Sequence, residues 1–306
     1  MTQHKTKLIV NPNADLGRAW RTVSDLRYLV DEYGGADWAG TVYPTHAVEL
    51  ARQAAEAGYE LVIAAGGDGT VHEVLNGLMQ VPAERRPRLG VIPLGSGNDF
   101  AHAIGLNPKP ALALRQVFQG TPHRIDLGVF KIGADRQEYF DNALGFGFDT
   151  TVTIRSRKLT WLRGFLIYLV AVLQTIILNH EAPAMRVTTD AESWDEESIL
   201  FVLGNGSREG GGFLVTPAAR PDDGLLHYAS IRHVSRLKML RLLPEVMNGT
   251  HGRFVKDVRM GTLRRMELHA DRPLYIHADG EIIAGFGSTV RDLQVELIPG
   301  AVEVMV

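Results

Sequence analysis

The sequence predicts an N-terminal α/β domain with a doubly wound parallel sheet, followed by a mainly β C-terminal domain. In the first half, short apolar runs alternate with segments of helical periodicity, which is typical of strand–helix–strand units. Two glycine-rich loops each follow an apolar run and precede a helical segment. From Arg124 onward, short strands separated by Gly, Pro and Asp predominate.

The elements of the first half begin with KLIVN, which predicts a strand. One amphipathic helix is predicted next, because apolar residues recur at spacings of three and four: Trp20, Val23, Leu26, Leu29, Val30 and Tyr33. GTVYP predicts the second strand. AVELARQAAEAG predicts a helix that stops at Gly58, a residue type that favours helix ends.

The next segment, ELVIAA, is a continuous apolar run, as expected for a strand covered on both faces of a parallel sheet. A helix from about Val71, the strand RLGVIPL and a helix from near Asp99 follow. Ligands of such sheets collect at the carboxyl ends of the strands, where both glycine loops are predicted to lie.

The second half begins with RIDLGVFKI and EYFDNALGF, which predict a β-hairpin around the turn GADRQ. The apolar segment Phe165–Leu178 predicts a buried helix, since it is shorter than the roughly 20 residues of a spanning helix and contains Gln174. A membrane-inserting helix is the alternative. A further helix is predicted over Leu237–Met247, with Ser235 as its N-cap.

Composition excludes several classes of function. The net charge of −3 gives no basic field for nucleic acid, so no nucleic-acid partner is expected. The absence of cysteine excludes disulfides and thiolate chemistry and agrees with a reducing compartment. No apolar signal core follows the N-terminus and no transmembrane segment is predicted, so we expect a cytoplasmic protein.

The loop GGDGT places backbone N–H groups and a helix N-terminus together, an arrangement that attracts phosphate. No lysine or arginine follows, so Asp68 would repel a phosphate unless a divalent metal bridged them. A helix cap at Asp68 is the alternative. The second loop, PLGSGNDFA, favours the phosphate site, because it adds Ser96 as a donor and Asp99 as a second acid.

Several motifs together resemble the diacylglycerol kinase catalytic-domain family, which includes bacterial soluble lipid kinases and sphingosine kinases. They are IVNP, GGDGT, PLGSGNDFA, RIDLG, GGGFLVTPAARPDDGLL and HADGE, and they run nearly end to end in the family's order. The resemblance implies a phosphofructokinase-like α/β nucleotide domain, residues 1–123 completed by 291–306. It also implies a β-sandwich lipid domain, residues 124–290.

The family's activity is ATP-dependent phosphorylation of a lipid hydroxyl with Mg²⁺, most often of diacylglycerol or a related lipid. By this resemblance, the ATP-binding residues of the family correspond to residues in and near the two glycine-rich loops. The corresponding residues are Asn11, Thr41, Gly66, Gly67, Asp68, Gly69, Thr70, Val71, His72, Gly95, Ser96 and Asn98.

The resemblance also assigns Glu281 of HADGE as the general base that accepts the hydroxyl proton. From the residues alone, a hairpin turn at Asp-Gly is the stronger interpretation. Asp68, Asp99 and Asp126 are the further acids of the catalytic region; a helix cap and a strand-end turn are the alternatives for the last two.

A structural Mg²⁺ is implied at Asp223, with backbone oxygens of Arg220 and Leu225; a type I turn is the alternative. Two positions depart from the family pattern. His227 stands where relatives often have an acid, so this chain lacks a second acidic residue at that position. The first loop lacks the usual small residues and keeps Gly17 and Arg18.

The implied partner is a lipid at the inner face of the membrane, met by peripheral contact. The cluster RSRKLTWLRG, which contains Trp161, predicts either that contact or a solvated helix face. Candidate residues for lining an acyl-chain crevice are Phe146, Phe148, Trp161 and Phe165, although core packing explains them equally well. A homodimer is possible through a sheet edge. The rival functions are a soluble-substrate kinase of the nicotinamide dinucleotide kinase type and a non-catalytic nucleotide- or lipid-binding protein.

Overall fold

The structure is a computed structural model that describes residues 5–134, 136–159, 161–162 and 164–306. Residues 1–4 of the N-terminus, Asp135 of the predicted hairpin turn, and Thr160 and Arg163 of the predicted basic cluster lie outside the described residues. The chain forms two compact units. The first comprises the chain up to Asp126 together with Pro299–Val306, and the second comprises Leu127–Ile298.

The first unit contains a parallel sheet with helices between its strands. Its elements in chain order are β1 Thr6–Val10, α1 Ala14–Gly17, α2 Ala19–Asp25, α3 Arg27–Glu32, β2 Asp37–Gly40, α4 His46–Glu56, β3 Leu61–Gly66, α5 Asp68–Leu78, a 3₁₀ turn Ala83–Arg85, β4 Arg88–Pro93, α6 Asp99–Ala103 and α7 Pro110–Gln119. The strand order is β2-β1-β3-β4, and all three pairings are parallel. At the far side of β4, Val304 of the C-terminal segment pairs with Leu89.

The central strand β3 is buried along its whole length, as its continuous apolar run predicts. Two predictions for this unit are wrong in detail. The single helix predicted over residues 20–33 is divided into α2 and α3 at Leu26, and Trp20 is about half exposed. The second strand is Asp37–Gly40, because its pairing with β1 ends at Gly40; the predicted strand GTVYP is mostly the connection to α4.

The second unit is mainly β with three helices among its described residues. Its elements are β5 Pro122–Ile132, which starts in the first unit, β6 Arg136–Phe140, β7 Ala143–Gly147, α8 Phe148–Ser156, α9 Phe165–Leu178, β8 Ala184–Thr189, β9 Ser193–Gly204, β10 Leu226–Arg232, α10 Arg236–Met247, a 3₁₀ turn His251–Arg253, β11 Val258–Leu263, β12 Arg265–Ala270, β13 Ile276–Ala278, β14 Glu281–Ala284 and β15 Asp292–Met305. The last strand continues into the first unit.

The long strand β9 connects two parts of this unit. Its first half pairs with β8, and its second half pairs with β7 and β10. Phe201 and Leu203 point into an aromatic-rich core between strands, whereas Leu200 and Val202 pack against α8, α9 and α10. This alternation is the two-residue period of a strand buried on both faces. A β-sandwich with helices on one face results.

The predicted hairpin forms between β5 and β6, with Gly128 opposite Phe140. Its second arm is shorter than predicted, because residues 143–147 leave β5 and pair with β9 and β13 instead. The N-cap prediction at Ser235 is confirmed, since its hydroxyl accepts the N–H of Lys238. Phe146 is fully buried between strands, whereas Phe165 is partly buried, with its ring tilted against that of Phe213.

The apolar helix α9 is only partly buried. Ala171, Val172 and Ile176 face the core, whereas Leu166 and Ile177 are more than half exposed. The prediction of a buried helix therefore holds for one face only. Among the described residues, none of the helices combines the length and the apolar character that crossing a bilayer requires.

Candidate active site

The carboxyl edge of the sheet in the first unit gathers the predicted nucleotide residues. Asn11 follows β1, and its backbone N–H donates to the carbonyl of Ala65 in β3 at 3.0 Å. The side-chain amide of Asn11 donates to Thr70 Oγ1 at 3.2 Å. Thr41 follows β2, and its N–H donates to the Val10 carbonyl at 2.8 Å. The ends of β1 and β3 therefore meet at the first glycine loop, and the end of β2 lies beside that of β1.

The first glycine loop turns directly from β3 into α5. A Cβ atom on Gly66 would lie 2.2 Å from Thr70 Oγ1, so only glycine allows this turn. The carbonyl of Gly67 accepts the N–H groups of Thr70 and Val71, which places the N-terminus of α5 at Asp68. Gly69 lies in this first turn. The helix therefore begins three residues earlier than the sequence predicted.

The side chains of Thr70, Val71 and His72 are buried. The ring of His72 lies 3.4 Å from the amide nitrogen of Asn76 one turn further along α5. These residues belong to the predicted nucleotide set. In this structure these side chains are buried, and the N–H groups of Thr70 and Val71 already donate to the Gly67 carbonyl.

The second glycine loop is braced by its own asparagine. Asn98 adopts a left-handed conformation, and its side chain both accepts the N–H of Gly95 at 2.7 Å and donates to the Gly95 carbonyl at 2.9 Å. Ser96 at the tip is exposed. The loop lies against the first one, because a Cβ atom on Gly95 would be 2.5 Å from the Cα atom of Gly67. Two backbone loops thus meet with no side chain between them.

Asp68 and Asp99 lie on either side of Gly97. A Cβ atom on Gly97 would lie 2.9 Å from Oδ2 of each. The Oδ1 atom of Asp68 accepts the N–H of Phe100 at 3.2 Å in the first turn of α6. Two carboxylates face a space left by a glycine, which is a donor set that fits Mg²⁺.

Asp126 is also buried, and its Oδ1 accepts the N–H of Gly300 at 2.7 Å. This bond ties the end of the first segment to the returning C-terminal segment. Gly17 ends α1 with a positive φ, and Arg18 beside it is exposed. The structure therefore brings the acids Asp68 and Asp99 together and gives Asp126 a contact that the sequence did not indicate.

In the second unit, Glu281 follows a two-residue hairpin turn between β13 and β14. Asp279 and Gly280 have φ angles of 49° and 81°, the two positive values that a type I′ turn requires. The Glu281 carboxylate accepts a hydrogen bond from the Arg157 guanidinium at 2.7 Å, and the same nitrogen donates to the Gly280 carbonyl at 2.9 Å. Arg157 is the C-cap residue of α8.

The hairpin is fixed by a buried carboxylate. Asp279 accepts the backbone N–H groups of Asp141, Asn142 and Ala143 at 2.9 to 3.0 Å. At the other end of α8, His277 Nε2 lies 2.6 Å from Asp149 Oδ2. Helix α8 is therefore held to the hairpin at both of its ends.

Sequence reasoning identified the turn but missed the residues that hold it. The sequence indicates Asp279 only as a turn residue and gives no site role to Arg157, Asp149 or His277. The spacing of Arg157 and Glu281 along the chain gives no signal of their contact. Gly145 gives a weak signal of the Asp149–His277 contact, since a Cβ atom there would lie 2.2 Å from both Asp149 Oδ2 and His277 Nε2.

The predicted metal loop forms a compact turn before β10. Asp223 Oδ1 accepts the N–H of Leu225 at 3.0 Å, and Asp223 Oδ2 lies 3.0 Å from Nε2 of His227. The Arg220 guanidinium makes two hydrogen bonds to the Asp222 carboxylate, at 3.1 and 3.2 Å. Arg264 Nε donates to the Gly224 carbonyl at 3.1 Å.

Comparison with known proteins agrees with this architecture. Residues 5–130 match the diacylglycerol kinase catalytic domain, and residues 142–306 match the YegS C-terminal NAD kinase beta sandwich-like domain. A probable lipid kinase YegS-like protein of Chromohalobacter salexigens is 38% identical over 238 residues, covering 76% of this chain and 73% of that protein. A diacylglycerol kinase of Mycobacterium tuberculosis is 31% identical over 252 residues, covering 81% and 77%.

Among solved structures, a putative diacylglycerol kinase from Bacillus anthracis superposes with a TM-score of 0.79 at 23% identity. The superposition covers 100% of this chain and 96% of that one. The shared fold therefore extends over both units.

Proposed function

We propose, because the chain belongs to the diacylglycerol kinase catalytic-domain family, that it transfers the γ-phosphoryl group of ATP to the hydroxyl of a lipid such as diacylglycerol. The observation that carries this proposal is the pair of abutting glycine loops with Asp68 and Asp99 beside them. Backbone donors for phosphate and hard oxygen ligands for Mg²⁺ occur together there.

We assign nucleotide binding to the first unit. The loops at Gly66–Gly69 and Gly95–Asn98 approach phosphate with backbone alone, and the exposed Ser96 hydroxyl is a further donor. Asp68 and Asp99 would hold Mg²⁺, which when bound neutralises charge on the β- and γ-phosphates. The hydrogen bond from Phe100 keeps Asp68 pointing towards the second loop.

We assign activation of the acceptor hydroxyl to the second unit. A lipid hydroxyl is a weak nucleophile, and a carboxylate within hydrogen-bond reach accepts its proton as the phosphoryl group moves. Glu281 is suited to this role because its side chain is 41% exposed and its strand is fixed by the buried Asp279. Arg157 orients the Glu281 carboxylate by donating a hydrogen bond to its Oε2 atom.

We propose that the lipid substrate lies in a membrane surface, with which the protein makes peripheral contact. Exposed apolar side chains on α9, including Leu173 and Ile177, support this assignment, as does the exposed Leu237 on α10. Arg236 Nε donates to the Ile176 carbonyl, so α10 begins beside the last turn of α9. Lys158 and the indole of Trp161 are also exposed, which suits an anionic interface.

A soluble nucleotide acceptor is the second candidate, favoured by one observation. The domain matched by residues 142–306 is described as NAD kinase beta sandwich-like. The exposed apolar face of α9 favours the lipid, because a soluble acceptor gives that face no role.

The decisive experiment incubates purified protein with labelled ATP and Mg²⁺, in parallel with a total lipid extract and with nicotinamide dinucleotides. We expect label in the lipid phase only. Glu281→Gln and Asp68→Ala proteins with unchanged circular dichroism should give none. Label confined to the dinucleotide, or no transfer by the wild type to either acceptor, contradicts the proposal.

A further inference from the structure

The loop Arg220–His227 shows how Asp223 is held in this chain. The family resemblance implies a Mg²⁺ on the Asp223 carboxylate, with histidine standing where relatives often have an acid. His227 is only 14% exposed at its side chain, and its Nε2 lies 3.0 Å from Asp223 Oδ2. His227, the residue that departs from the family pattern, therefore contacts Asp223, the implied Mg²⁺ ligand.

Both oxygens of Asp223 have donors from the protein. Oδ1 accepts the N–H of Leu225, which closes an Asx turn within the loop, and Oδ2 faces the imidazole. A hard cation on Oδ2 would have to displace the imidazole N–H. Imidazole is a poor substitute ligand for Mg²⁺, which prefers carboxylate, carbonyl and water oxygens.

Two arginine side chains also hold the loop. Arg220 forms a two-point ion pair with the Asp222 carboxylate, and Arg264 donates to the carbonyl of Gly224. Two guanidinium groups thus bond to the residues on either side of Asp223. Both contacts brace the turn without a metal ion.

We propose that His227 takes the place of the structural cation, so that the Asp223 loop is complete without Mg²⁺. Asp223, the one side-chain ligand that the resemblance implies, does not fit the ion, because both of its oxygens already have protein partners and one of these is an imidazole. This inference goes beyond the proposed function and stands whether or not the acceptor is a lipid.

The test compares four proteins without nucleotide: wild type, Asp223→Asn, His227→Asp and His227→Gln. Thermal unfolding is followed in EDTA and in Mg²⁺, and bound Mg²⁺ is measured after dialysis. Asp223→Asn reports any Mg²⁺ effect that arises elsewhere, such as at Asp68 and Asp99.

We expect the same Mg²⁺-induced shift in melting temperature for the wild type and Asp223→Asn. His227→Asp, which restores an acid, should gain one bound Mg²⁺ and an additional rise of about 3 °C or more. His227→Gln retains an N–H donor and should behave as the wild type in both solutions.

Two results overturn the proposal. One is a Mg²⁺ ion that the wild type retains, or is stabilised by, and that Asp223→Asn lacks. The other is a His227→Asp protein that gains neither bound Mg²⁺ nor stability in it, because histidine is then not what replaced the ion. Neither measurement depends on phosphoryl transfer.

Discussion

Replacing Gly95 by alanine tests the contact between the two glycine loops. The added Cβ atom would lie 2.5 Å from the Cα atom of Gly67, whereas ordinary contacts begin at 3.4 Å. The loops must therefore separate by about 1 Å, since backbone on either side cannot rotate away as a side chain would. Overpacking of this kind costs about 1–3 kcal/mol of stability. A displacement of about 1 Å in a phosphate-positioning loop lowers turnover by up to about 100-fold.

The assay measures ATP affinity by calorimetry, turnover with a lipid acceptor and unfolding in denaturant. Gly287→Ala is the matched control, because nothing lies within 4 Å of its added Cβ atom. We expect weaker ATP binding and lower turnover for Gly95→Ala and wild-type values for the control. Normal ATP affinity and turnover for Gly95→Ala would show that the loops do not act as one phosphate site.

Three further predictions concern the second unit. Arg157→Gln should lower kcat about 3- to 10-fold with KM unchanged, because Glu281 loses its orienting partner; Arg157→Lys should restore part of the loss, and equal effects from the Lys158→Gln control would contradict it. Asp279→Asn should cost about 1–3 kcal/mol in urea unfolding, since a buried N–H loses its acceptor; an unchanged midpoint would refute this. Burial lowers the pKa of His251 from 6.5, so the unfolded state binds the proton more readily and stability should fall as pH drops below 6.5. Melting curves of wild type and His251→Gln across that range check this, and an equal slope for both would exclude His251 as the cause.

Local patterns were enough to predict the two glycine loops at the carboxyl edge of the first sheet. ELVIAA followed by three glycines reads as a buried strand running into a tight turn, and the structure has β3 and α5 there. The close pairing of Asp68 with Asp99 follows from parallel strands ending at one edge. The role of Asn98 as a brace of its own loop needed coordinates, because its bonds to Gly95 depend on a left-handed backbone.

Contacts between residues far apart in the chain were not predictable from one sequence. The Asp279 carboxylate binds backbone groups at 141–143, and Arg157 reaches Glu281 across 124 positions. No periodicity encodes such pairs. The exposure of Ile177 was missed for another reason: an apolar helix reads as buried whether its outer face meets protein or solvent.

The most direct test of the central claim separates ATP binding from transfer in two variants. ATP titrations with Mg²⁺ are compared with transfer of labelled phosphate to lipid for wild type, Asp68→Asn and Glu281→Gln. Glu281→Gln should bind ATP as the wild type does and transfer nothing, whereas Asp68→Asn should lose Mg²⁺-dependent ATP binding as well. Transfer by Glu281→Gln near the wild-type rate, or unaltered Mg²⁺-dependent binding by Asp68→Asn, would contradict the account.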